Sequence, residues 1–64
     1  MRLTDFWERL DEVLGTAYAR SWAADVVITS LGSRTVREAL DDGEDAQVVW
    51  RAVCEVIEVP GHLR

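Results

Sequence analysis

The chain has one cysteine, Cys54, one histidine, His62, and one proline, Pro60. A single cysteine excludes an intramolecular disulfide, and one cysteine with one histidine cannot supply a structural zinc set. Lysine is absent, so all seven basic residues are arginine, a usage that points to a GC-rich genome rather than to an activity. No apolar run approaches the roughly eighteen residues of a membrane span. The opening Met1-Arg2-Leu3-Thr4-Asp5-Phe6 turns acidic where a signal peptide would turn apolar, so a soluble, cytoplasmic protein is expected. Phosphate loops, dinucleotide fingerprints and metal-ligand spacings are all missing, and no cofactor is expected.

What is present must hold a small chain together. A domain of 64 residues buries only roughly 60% of the surface that its unfolded form exposes. With neither bridge nor metal, apolar packing has to supply the stability. The hydrophobic fraction of 48% and three tryptophans in so short a chain fit that demand, because large rings bury much area at small rotamer cost. With no repeat, linker or low-complexity stretch, residues 1–64 read as one small helical domain.

Four amphipathic segments follow from spacing and capping. In the first, Thr4 is the expected N-cap and Gly15 the stop, with Phe6, Trp7, Leu10, Val13 and Leu14 on one face. The second is expected to start within 17–22, to run to about residue 31 and to stop at Gly32. Its β-branched run Val26-Val27-Ile28-Thr29 could form a strand. However, Ser21, Asp25 and Thr29 make a polar stripe at helical spacing, and the only other strand-like run, Val56-Ile57-Glu58-Val59, offers a marginal partner. In the third, Thr35 and Glu38 form a capping box and Gly43 ends the helix. The fourth starts with Glu44 or Asp45 as cap and runs to about Ile57. Its polar residues Gln47, Arg51, Glu55 and Glu58 form a narrow stripe, which marks it as the central element. The expected fold is all-α, a compact bundle of three or four short helices, with the tryptophans meeting in its core.

The opening hexapeptide, Arg34-Thr35 with Ala39 and Gly43, the run Val49-Trp50-Arg51-Ala52-Val53-Cys54 and the terminal Val59-Pro60 resemble a family of small actinobacterial proteins of unknown function. The resemblance spans essentially the whole chain. It implies genes that often lie near the recombinase and its small regulator, and at most a loose association with the regulation of DNA repair. It carries over no catalytic or binding residue.

Charge separates the functional readings. Residues 1–37 hold five arginines against five acids, whereas 38–64 hold two arginines against seven acids, so the second half carries the whole net charge of -5. Nucleic-acid and membrane-surface binders normally show the opposite sign. Ala39, Gly43 and Val49 fit part of a helix-turn-helix spacing. In that register the reading helix would begin with Glu44 and Asp45 beside phosphates and would offer one cation, Arg51. Cys54, His62 and Asp25 could be combined as nucleophile, base and orienter, but a cysteine on an apolar helical face is more often a small buried hydrophobe, and so short a chain hardly offers a catalytic pocket.

The expectation is therefore a non-enzymatic interaction or regulatory protein, with a DNA-binding helix-turn-helix module as the alternative. Its basic protein partner would dock on the acidic corner Asp41, Asp42, Glu44 and Asp45. Asp41 and Asp42 sit at the negative end of the third helix, where carboxylates are disfavoured by about 0.3 to 1 kcal/mol each, so they serve either solubility alone or a docking surface. Should one tryptophan be left outside the core, Trp50 beside Arg51 is the expected anchor, because Trp and Arg are enriched in interface hot spots.

Overall fold

The computed structural model describes all residues from Met1 to Arg64. The architecture is mostly α: helices α1 (Leu3–Leu14), α2 (Thr16–Asp25), α3 (Val36–Asp41) and α4 (Ala46–Val56). Between α2 and α3 lies a two-stranded antiparallel hairpin of β1 (Val27–Ile28) and β2 (Arg34–Thr35), joined through a 3₁₀ turn at Thr29–Leu31. A second 3₁₀ turn, Gly61–Leu63, lies near the C-terminus. Helix α1 packs against α2 and α4, and α3 against α2 and α4.

Local signals place most of the helix ends. Gly15 stops α1 at φ 87°, donating its N–H to the Asp11 carbonyl at 2.7 Å. The start of α1 differs from expectation. Arg2, not Thr4, is the N-cap, it makes no side-chain cap bond, and Thr4 lies inside the first turn. At α3 the capping box is complete: Thr35 Oγ1 accepts from the Glu38 N–H at 3.1 Å, and Glu38 Oε1 accepts from the Thr35 N–H at 2.9 Å. Gly43, at φ 88°, closes α3. Its N–H reaches the Leu40 carbonyl at 3.1 Å while the Glu44 N–H reaches Ala39 at 3.0 Å, the paired bonds of a Schellman turn. Asp45 caps α4, its Oδ1 accepting from the Gln47 N–H at 3.0 Å.

The second helix is shorter than its polar stripe suggests. It starts at Thr16 and ends at Asp25; Val26 is already extended, at φ -86° and ψ 120°. The β-branched run then does what such residues favour on a pleated surface, with Ile28 buried and Val27 exposed. The partner strand is not Val56–Val59 but Arg34–Thr35, in the register Val27 to Thr35 and Ile28 to Arg34. The chain reverses through Gly32 at φ 71° and Ser33 at φ 59°. For a non-glycine residue such as Ser33, that left-handed conformation costs on the order of 1 kcal/mol.

Fourteen buried apolar residues form one core to which all four helices and the hairpin contribute. Phe6 of α1 is fully buried and meets Trp50 of α4 edge-on, with ring centroids 5.5 Å apart at 84°. Trp22 closes the α2 side. Trp7 stands at the rim, half-buried, with the Arg20 guanidinium 4.3 Å from its ring centroid. That guanidinium also pairs with Asp11 at 2.8 Å. Helix α4 is central but not enclosed, since Val48 is 43% and Val56 50% exposed.

The core ranks the aromatic residues. Phe6→Ala should destabilise by about 3 to 5 kcal/mol, a large share of the roughly 3 to 10 kcal/mol available to a chain of this length. Trp7→Ala should cost distinctly less, because its ring keeps a solvent face. Urea denaturation checks the order; equal losses would place Trp7 in the core with Phe6.

Candidate functional site

Two charged features flank α4. The first is the acidic corner between α3 and α4. Asp41 is exposed at the last position of α3, and Asp42 is the C-cap. Arg34, at the start of β2, reaches across to this corner. Its Nη1 donates to Asp42 Oδ2 at 3.0 Å and its Nη2 to Glu44 Oε2 at 2.8 Å, while its Nε donates to the Leu31 carbonyl at 2.6 Å. One rigid guanidinium fork thus joins the hairpin turn to both sides of the Gly43 turn. The hydrogen bonds to Glu44 and then Asp42 hold the Arg34 pKa above its ordinary value, so the group stays charged at any physiological pH.

This arrangement divides the predicted acidic residues. Asp42 and Glu44 are paired within the chain, Asp45 is spent on capping yet exposed, and Asp41 has no side-chain hydrogen bond or ion pair. Arg34 is the residue that sequence reasoning missed at this site. It lies eight and ten positions before its partners, beyond the helical spacings that reveal ion pairs along a chain. Asp25, a member of the polar stripe, makes no ion pair.

The second feature is a cleft of about 420 Å³ between α4 and the C-terminal turn, lined by Gln47, Trp50, Arg51, Cys54, Glu55 and Arg64. Here the expectation for Trp50 is corrected. The residue is 1% exposed, and its indole Nε1 donates to the Leu63 carbonyl at 3.0 Å. Trp50 belongs to the wide apolar face of α4 and cannot be the exposed anchor; it forms the floor of the cleft. Arg51, its neighbour, is exposed on the wall. Arg64 faces it from the C-terminal segment, its Nε donating to the Val59 carbonyl at 3.2 Å. Gln47 and Glu55 belong to the polar stripe that the periodicity of α4 reveals, whereas the approach of Arg64 is a tertiary event.

Cys54 is half-buried in the same cleft. Burial pushes its thiol pKa up, while Arg64 and, more weakly, Arg9 of α1 pull it down. Burial prevails, so the nucleophilic thiolate is disfavoured, despite the cations that sequence reasoning did not place there. His62 and Asp25 are both exposed, on the C-terminal turn and at the end of α2, and no hydrogen bond joins either to Cys54.

With the geometry defined, comparison with known proteins adds one finding: the model of the family described as "Protein of unknown function (DUF3046)" matches residues 1–62. The chain belongs to this family. No curated protein and no solved structure matches it. The DUF3046 assignment covers the acidic corner and all of the cleft except Arg64. No helix of this DUF3046 chain is long and apolar enough to cross a membrane.

Two measurements follow from this chemistry. Arg34→Gln leaves Asp42 and Glu44 facing each other without their cation, so it should lower the unfolding midpoint, and the gap to the unsubstituted protein should narrow as salt screens the pairing. A salt-independent gap would mean that the bond to the Leu31 carbonyl matters more than the charges. Cys54 should react slowly with a thiol reagent at neutral pH. Its raised folded-state pKa means that its contribution to stability is fully present below the unfolded value of about 8.5 and is lost as pH rises through the folded value. The unfolding midpoint should therefore fall as pH rises from the unfolded value to the folded one, and Cys54→Ala should flatten this slope.

Proposed function

We propose that the protein is a non-enzymatic interaction module that docks a basic protein segment on the corner between α3 and α4. The observation that carries the reading is the fixed presentation of carboxylates around one turn. The Schellman turn at Gly43, the Asp45 cap and the Arg34 fork hold the backbone and two of the acids in place, while Asp41, Asp42 and Asp45 remain exposed. A preorganised surface loses little side-chain freedom on binding, and its field steers an oppositely charged partner.

A DNA-reading role draws less support from the same geometry. Helix α4 would enter the groove with its acidic N-terminus first, and Val49, Trp50, Ala52 and Val53 are committed to the core. The gene neighbourhood near the recombinase and its regulator that the resemblance implies, with an actinobacterial origin, adds at most a loose association with the regulation of DNA repair. Cytoplasmic action suits a chain whose single cysteine is free.

The structure also selects the substitution that tests this reading. Asp41→Asn with Asp45→Asn removes two charges while sparing the Arg34 fork, and asparagine can still cap α4. Stability should change little. Affinity capture from the native cell should recover a basic protein with the unsubstituted chain and lose it with the double variant, and raising salt should weaken capture. Retention by the double variant would remove the corner from the interface, and duplex DNA binding at physiological salt would favour the helix-turn-helix alternative.

A further inference from the structure

The cleft beside α4 brings together two arginines that have no ion-pair partner, Arg51 and Arg64. Of the two arginines in residues 38–64, both line it. A third, Arg9 of α1, is close enough to act on the Cys54 thiol. The ion pairs of the protein involve only Arg20 and Arg34, so Arg9, Arg51 and Arg64 have no carboxylate partner. A single acid, Glu55, stands on the wall. The cleft therefore carries a local positive excess inside a chain of net charge -5.

Its shape narrows the class of anion. At about 420 Å³ the cleft falls within the usual range for small-molecule sites, roughly 300 to 1,000 Å³. A bare phosphate would leave most of that space unfilled. Glu55 opposes a dianion more strongly than a monoanion. The planar guanidinium forks of Arg51 and Arg64 match a carboxylate.

We infer that this cleft binds a small organic monocarboxylate, its carboxylate held between Arg51 and Arg64 and its body resting against Cys54 and Gln47. The site adjoins the acidic corner through Gln47, whose N–H donates to Asp45 Oδ1, but it does not depend on the docking reading.

The test is titration of the isotope-labelled full chain, followed by NMR through the Trp50 indole N–H and the amides of Gln47 and Cys54. Benzoate and indole-3-acetate serve as probes, with benzamide as the neutral counterpart and inorganic phosphate as the small anion. Saturable shifts confined to these groups are expected with the carboxylates, with affinity reduced by about tenfold or more in Arg51→Gln and in Arg64→Gln. Both side chains are exposed, so the variants should keep the spectrum of the folded protein. The inference is overturned by shifts that do not saturate or that spread over the surface. An equal response to benzamide, phosphate binding as tight as that of the carboxylates, or undiminished binding by the double Arg51→Gln, Arg64→Gln variant would overturn it as well.

Discussion

The edge-to-face contact between Phe6 and Trp50 is the constraint on which the rest of the molecule depends. It joins the first helix to the last, so it closes a loop that spans most of the chain. Both rings are almost wholly removed from water. The geometry is the one that aromatic quadrupoles favour, worth about 0.5 to 1.5 kcal/mol beyond the area buried. The indole N–H, which would be costly to bury unpaired, donates to the Leu63 carbonyl and so ties the C-terminal turn to the same ring. No buried side-chain polar atom lacks a partner. A chain without bridge or metal can tolerate few such losses, because its whole stability is comparable to the cost of one large cavity.

Elements whose signals are local were legible in the sequence. Gly15 and Gly43 stop helices, Thr35 with Glu38 caps one, and Asp45 caps another, because each involves groups within one or two turns of chain. Thr4 misled because the helix could begin two residues earlier on Arg2 with no side-chain cap at all. The hairpin was hidden for a different reason. Its second strand is two residues long, and one of them, Thr35, also opens α3, so the segment carries a helix signature where a strand was required. The polar stripe of Ser21, Asp25 and Thr29 is real in sequence, yet only its first two members lie on α2. Local β preference at Val26–Ile28 prevailed once a neighbouring extended segment existed to pair with it.

The site was legible only in part, and its errors share a cause. Helical spacing shows which residues lie on one face but not what covers that face. Trp50 was assigned to the surface by its chemistry and neighbour, although the broad apolar face of α4 already argued for burial, and packing settled the conflict in favour of the face. The acidic cluster was visible as composition. Its internal neutralisation was not, since Arg34 arrives from a hairpin that the sequence did not announce. The same holds for the cleft, where Arg51 lies on a recognisable polar stripe and Arg64 comes from another part of the chain.

Helix α4 sets the spacing between these two charged features. Asp45 at its N-cap marks the acidic corner, and Arg51 marks the cleft. At about 1.5 Å of rise per residue they stand roughly 9 Å apart along the axis, close to the Debye length of about 8 Å at physiological salt. At that ionic strength the field of the corner reaches the cleft weakly, so each can hold its own sign of charge without cancelling the other. At low salt the two fields overlap and the corner repels anions from the arginines. The segregation of charge along one helix thus lets a strongly acidic chain keep a cationic recess, and the arginine fork at Arg34 limits how much of the acidic field is left to oppose it.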